Sequence, residues 1–301
     1  MNVRNASTQW QGIAIIIPCM MCFAILDTTN KFLITTIPVM MVLFVRYLIQ
    51  SCIITLFLLP RRGRALLRTQ QPRQQWLRGG LMFMCSVLGF ISLKKMPLAE
   101  FAAIAMLAPL AVTFLARFLL KEHVPAVRWA CVSGGMIGAL FIVRPGGSLS
   151  GLDALYPVSM VIAYAAFQIL TSQMTRSEEP MTMHFYTSWI GTLGTSLIVF
   201  DSWTLDLTQN QWMLLALVGL MGSIAHYMLI LAFAKTHASQ LTPFLYSQIA
   251  FSTFAGWLVF QQVPVGLALL GMILIAICGV IVGIHMAYEQ KIQASSIATS
   301  S

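Results

Sequence analysis

The chain has 301 residues, of which 58% are hydrophobic and only 9% charged, and its formal net charge is +9. A water-soluble domain of this size needs far more charge to cover its surface, so the composition excludes a soluble enzyme and points to a chain surrounded by lipid. Nucleic acid is not implied by the positive charge, because the arginines sit in breaks between apolar stretches.

A membrane span needs roughly 20 apolar residues. Apolar runs, interrupted at charges, Pro and Gly, put ten spans near residues 12–33, 37–59, 77–94, 99–119, 127–144, 152–173, 182–200, 212–233, 238–259 and 264–286. Short breaks separate them: Ile37-Pro38, Met96-Pro97, Val263-Pro264 and the turn-forming Arg144-Pro145-Gly146-Gly147-Ser148. The first apolar run is too long for a signal peptide and stays as a helix. After Tyr288 the tail is polar and expected to be disordered.

Orientation follows from the cations. With the amino terminus in the cytoplasm, the Arg61–Arg78 stretch, Lys121, Arg128, Arg176 and Lys235 all fall inside, and only Lys31, Lys94, Lys95 and Arg144 fall outside. The positive-inside rule therefore expects both termini on the cytoplasmic side of a bacterial inner membrane. The Arg61–Arg78 stretch reads first as a topogenic signal and second as a contact for anionic lipid.

The two halves align with an offset of about 140 residues: Gly79 falls on Gly219, Lys95 on Lys235, Leu98-Ala99-Glu100 on Ala238-Ser239-Gln240, and Glu122 on Gln262. Each half holds five spans, an odd number, so the second half enters the membrane upside down. Inverted repeats let two similar halves exchange shapes around a site near the midplane, which is a plan of secondary transporters.

Two passages carry a resemblance. One runs from Leu98-Ala99-Glu100 through Pro109 to Leu119-Leu120-Lys121-Glu122, then Gly134, Gly138 and Arg144-Pro145-Gly146. The other runs from Pro243-x-x-Tyr246 through Gly256-Trp257-Leu258-Val259-Phe260 to Pro264 and Gly271. Both resemble the EamA domain of the drug/metabolite transporter superfamily, with one departure at Gln261-Gln262, where many members carry Gly-Glu. The resemblance implies an all-α membrane protein of ten helices in two inverted five-helix repeats, 10–145 and 150–286, followed by a tail at 287–301. It also implies a cavity lined mainly by helices 1, 3, 4, 6, 8 and 9, and alternating access. The opening spans, with Asp27-x-x-x-Lys31 and Phe44-x-Arg46, are similar to carriers of S-adenosylmethionine and to some riboflavin carriers.

Ionisable groups at membrane depth need a reason, because burying them unpaired is costly. Asp27 and Lys31 lie one helical turn apart. Asp27 lies about 9 Å and Arg46 about 13 Å from the outer ends of their spans, so Asp27 can bridge Lys31 and Arg46. This is either a gate or substrate cluster, or a fixed pair locking helices 1 and 2. His226, with Ser223 three residues before it, can bind a ligand, relay a proton or bond a neighbouring carbonyl. His184 and His237 read as interfacial. Helix 6 offers Tyr164 and Gln168; helix 9 offers Thr242, Tyr246 and Thr253 with Gln248 beside them, a polar stripe expected to face a cavity. Gly134, Gly135, Gly138, Gly271 and Gly279 read as close-packing positions.

No phosphate-binding Gly-x-x-x-x-Gly-Lys-Ser/Thr loop, His-Glu-x-x-His or Gly-x-Ser-x-Gly occurs, and Asp27 has no acidic partner at its depth. The six cysteines fall in apolar stretches, and Cys19-x-x-Cys22 lacks a second pair. Neither a cofactor nor a metal is expected. The expected partners are a small organic solute and the bilayer, with the proton as a candidate coupling ion and a homodimer as a candidate assembly. A membrane scaffold and a membrane enzyme are the competing classes.

Overall fold

The computed structural model describes residues 6–95, 104–105, 107–143, 155–200, 203–204, 206–261 and 266–298, and these are helical with short connections and no strand. The chain order is α1 (Ala6–Leu33), α2 (Val39–Arg62), a short 3-10 turn (Gly63–Leu67), α3 (Pro72–Lys95), α4 (Ala108–Leu119), α5 (Ala126–Val143), α6 (Leu155–Met174), α7 (Pro180–Ser196), α8 (Gln209–Lys235), α9 (Ala238–Leu245), α10 (Ser247–Phe260) and α11 (Gly266–Ala298). Among the described residues, five stretches are long and apolar enough to cross a membrane: Gln9–Leu33, Val39–Arg61, Leu155–Met174, Gln209–Lys235 and Leu269–Glu289. Ala108–Leu119 and Ala126–Phe141 are shorter apolar helices. The turns expected at Met96-Pro97, Arg144–Ser148 and Val263-Pro264, and the residues Glu100 and Gln262, lie outside the described residues. Helix α11 continues to Ala298, so the segment from 287 that composition reads as disordered is helical that far.

The span expected at 238–259 is two helices meeting at Tyr246. Pro243 has no N–H to give the carbonyl of Ser239, four residues back. The Thr242 hydroxyl takes its place, donating to that carbonyl at 3.0 Å. Hydroxyls commonly repair a helix in this way where no water can.

Packing follows the repeat. Helix α1 lies along α8, and α3 lies along α6; α2 meets α8, and α3 meets α7; α1 meets α9 and α10, and α4 meets α6. Each of these contacts becomes its partner when the halves are exchanged, while α2–α7 and α5–α11 map onto themselves. Individual residues obey the same offset. A Cβ on Gly79 would lie 2.5 Å from Ile190 on α7, and one on Gly219 would lie 2.5 Å from Ile49 on α2. Helices α3 and α8 end at Lys95 and Lys235. Lys121 and Gln261, also 140 apart, both adopt the left-handed backbone, with φ of 54° and 55°. That conformation costs a residue with a side chain about 1–2 kcal/mol, so its recurrence reflects a turn that both halves need.

Small residues set the α5–α11 contact, as they must where lipid removes the hydrophobic drive for helices to associate. A Cβ on Gly138 would lie 2.8 Å from the Gly271 carbonyl oxygen, and one on Gly134 would lie 2.8 Å from Cys278 Sγ. Backbone cannot retreat as a side chain can. Gly138→Ala is therefore expected to cost about 1–3 kcal/mol by forcing the helices apart, whereas Gly80→Ala, with nothing within 4 Å, is expected to raise stability by about 0.5–1 kcal/mol, because alanine favours the helix. Thermal unfolding of the detergent-solubilised variants checks the pair.

Candidate functional site

Polar side chains converge where the halves meet. Asp27 on α1 accepts a 2.6 Å hydrogen bond from Gln248 Nε2 on α10. Arg46 on α2 donates from Nη2 to Ser86 Oγ on α3 at 3.4 Å, and its guanidinium lies 4.8 Å from the Tyr47 ring centroid. Tyr47 reaches the same Ser86 hydroxyl at 3.0 Å. Tyr164 on α6 completes the ring, within electrostatic reach of Asp27. Asp27 is exposed, and Arg46, Ser86, Tyr164 and Gln248 are partly so, although helices of both halves surround them. The accessible surface here is a crevice between the halves.

Beneath the crevice lies a closed polar floor. His226 on α8 packs edge-on against Phe23, with ring centroids 5.0 Å apart, and its Nδ1 is buried without a partner. Gln168 is buried on α6, with the Tyr164 hydroxyl as its neighbour. His184 on α7 links Gln50 on α2 (3.3 Å) to Ser223 on α8 (3.3 Å). Ser223 thus serves His184 and not His226, and His184 lies in the core instead of at the interface expected for it. Buried polar groups are ordinarily satisfied, so the unpartnered His226 Nδ1, Gln50 Oε1 and Arg46 Nε are groups that a bound solute could meet.

The expected site is therefore brought together in part. Asp27, Arg46, Tyr164, Gln168, His226 and Gln248 gather; Lys31 lies one turn beyond Asp27 and is exposed. No direct ion pair joins Asp27 to Arg46, which corrects the bridge expected between them: Gln248 engages the carboxylate and Ser86 the guanidinium. Tyr246 lies elsewhere, sealed at 1% exposure among Val132, Ala139 and Ile275, where Gly135 admits its ring. Thr242 is likewise closed off, accepting from Thr113 Oγ1 at 2.8 Å. Proline repair and close packing account for that part of the stripe, not a cavity.

Charged residues that the sequence places in loops or at helix ends, Arg78, Glu122, Arg128 and Glu178, are buried in the fold. Arg78, grouped by sequence with the loop arginines, is 1% exposed. It donates from Nε to Thr171 Oγ1 at 2.8 Å and from Nη1 to the Met183 carbonyl at 2.8 Å and Thr187 Oγ1 at 2.6 Å. Its guanidinium stacks 4.9 Å from the Phe167 centroid. Glu178, between α6 and α7, accepts from the backbone N–H groups of Gln70 (2.7 Å) and Gln71 (2.9 Å), and from Thr69 Oγ1 (2.8 Å) and Gln75 Nε2 (3.2 Å), and so caps α3. Glu122, after α4, accepts from the N–H groups of Ala238 (3.2 Å) and Ser239 (3.0 Å) and meets His237 Nδ1 at 3.5 Å, and so caps α9. Burial pushes the Glu122 carboxyl up, but the hydrogen bonds from His237 and Ser239 outweigh it and hold the group below its ordinary value. Each glutamate belongs to one half and caps a helix of the other. Both sit on the face that carries the arginine-rich segment.

A further groove of about 470 Å³ lies between α1, α9 and α11, lined by Trp10, Ile17, Phe244, Gly279 and Ile284. Its lining is almost wholly apolar. The polar crevice, not this groove, is the candidate site.

The model of the EamA-like transporter family matches residues 10–144 and 153–284. The chain belongs to this family. Among curated relatives of this EamA-family chain, a riboflavin transporter of Vibrio cholerae is 28% identical over 89% of the chain and 91% of that protein. An S-adenosylmethionine uptake transporter of Rickettsia bellii is 26% identical over 83% of the chain and 85% of that protein. A solved crystal structure, 16% identical, superposes with a TM-score of 0.79 over 94% of this chain and 99% of that one, which shows a shared fold. The EamA-family chain is thus a multi-pass membrane transporter with a small-molecule solute as its partner, and its relatives are named as transporters, not enzymes.

Proposed function

We propose that this chain is a secondary-active carrier that moves a small polar or amphiphilic organic metabolite by alternating access, through ten spans arranged as two inverted five-helix repeats (10–145 and 150–286) with both termini in the cytoplasm. The observation that carries this reading is the crevice at the junction of the halves, where Asp27 and Arg46 of one half face Gln248, Tyr164 and His226 of the other. A solute held by both halves is released when they part. The cross-half caps at Glu122 and Glu178 support the same reading: they close the arginine-rich face while Asp27 remains exposed. Under the positive-inside assignment this is a state open to the outside. The names of the relatives make riboflavin and S-adenosylmethionine the first solutes to try.

Transport by purified protein in liposomes is the test. Radiolabelled riboflavin and S-adenosylmethionine are offered under an imposed solute gradient, with and without a proton gradient. Asp27→Asn keeps the shape but removes the charge and weakens the Gln248 bond, and is expected to lower the initial rate by about tenfold or more. Loss of saturable movement in the parent, for these and a wider panel of metabolites, would sink the carrier reading.

A further inference from the structure

Charge is unevenly distributed inside the bundle. Among the described residues, the interior around the crevice holds one carboxylate, Asp27, and two guanidinium groups, Arg46 and Arg78, all within electrostatic reach of the same floor. No described carboxylate lies within ion-pair distance of either arginine. The two differ in what surrounds them. Arg78 is closed off and saturated by neutral acceptors. Arg46 is partly exposed, has one long hydrogen bond at 3.4 Å, and has a buried Nε without an acceptor.

The surroundings of Arg46 repeat the pattern. Gln50 Oε1, one turn on, and His226 Nδ1, across on α8, are also unpartnered. Gly222 leaves space beside them: a Cβ there would stand 3.4 Å from Arg46 Cγ and 3.9 Å from Gln50 Oε1. Asp27, the nearby anion among the described residues, acts on Arg46 through space but makes no ion pair with it, and its carboxylate is engaged by Gln248. A guanidinium partly withdrawn from water without a direct ion-pair partner is unfavourable, and an anion that docks on it relieves that cost. The guanidinium fork matches carboxylate and phosphate oxygens in particular.

We propose that the solute carries an anionic group, a carboxylate or a phosphate, that docks on Arg46. This rests on the carrier reading and deepens it, and it assigns an anionic group of the kind that S-adenosylmethionine carries and riboflavin lacks.

Two matched pairs test it on the purified full-length protein by equilibrium binding. Riboflavin and riboflavin 5′-phosphate differ by a phosphate; decarboxylated S-adenosylmethionine and S-adenosylmethionine differ by a carboxylate. In at least one pair the anionic member is expected to bind about tenfold tighter or more, with the preference widening as salt is lowered. The pair that shows it tells phosphate from carboxylate. Arg46→Gln should reduce the preference to less than about twofold, and Arg46→Lys should keep part of it. Equal binding within both pairs, no saturable binding by either anionic member, or a preference that survives Arg46→Gln in protein melting like the parent would each overturn the proposal. Uptake into liposomes separates it from the carrier reading. An anion preference without any movement leaves the site and removes the carrier; movement of neutral members without preference does the reverse.

Discussion

Glu178→Ala will lower the stability of the folded chain by about 2–4 kcal/mol and will open the arginine-rich face to water. Glu178 is 6% exposed and takes four hydrogen bonds, two of them from the backbone N–H groups of Gln70 and Gln71 just before α3. Alanine leaves the part-buried Gln70 N–H without its acceptor and the Gln71 N–H with only Thr69 Oγ1 at 3.2 Å, and it removes a negative charge from the positive end of a helix. Glu178→Gln will fall between the two, because an amide supplies one acceptor oxygen where two are used. Thermal unfolding measures the first effect. Thiol labelling of a cysteine placed at Thr69, in an otherwise cysteine-free background, measures the second: labelling should accelerate in Glu178→Ala. Equal rates and equal melting temperatures would show that the cap contributes nothing to closure. Because its partners are neutral, the effect should change little with salt.

The second large effect is at Arg78, and there the sign depends on the replacement. Three hydrogen bonds and a ring contact hold the guanidinium, but no carboxylate offsets its charge. Its acceptors keep other partners when it leaves: Thr171 and Thr187 bond their own helices at 2.7 and 3.0 Å. Arg78→Met therefore removes a desolvated charge along with its bonds, and the two changes offset to within about 1 kcal/mol. Arg78→Lys retains the charge but loses the planar fork and the stacking on Phe167, and is expected to cost about 2–4 kcal/mol. The melting order should be parent close to Arg78→Met, with Arg78→Lys well below. A lysine variant as stable as the parent would show that charge, not the fork, is what the site needs.

Much of the architecture is legible in the residues alone. Composition dictates a membrane chain, and the 140-residue offset recovers pairs that the fold treats alike, Gly79 with Gly219 and Lys121 with Gln261. Polar residues isolated in apolar helices, such as Asp27, Arg46, Gln168, His226 and Gln248, stand out because lipid tolerates none of them at its centre. What composition hides is the partner of each. Arg78 follows a run of loop arginines, and its acceptors lie 93 to 109 residues away on α6 and α7. Glu178 looks like a surface loop residue until the α3 terminus is brought to it. Tyr246 shares helical spacing with cavity-type residues, yet Gly135 on another helix decides where its ring goes. Such choices are tertiary, and no single-helix pattern encodes them.

The capping arrangement also bears on how the chain is made. The N–H groups that lead into α3 emerge from the ribosome more than a hundred residues before their acceptor, since Gln70 and Glu178 are 108 positions apart. Glu122, by contrast, is already present when Ala238 appears. During synthesis the start of α3 must therefore remain at the water-lipid boundary, hydrated, until the first turn of the second half arrives to relieve it. A first half produced by itself would keep that terminus dependent on water and on Thr69, so co-production of the two halves, not either one singly, is the route by which a split chain could assemble.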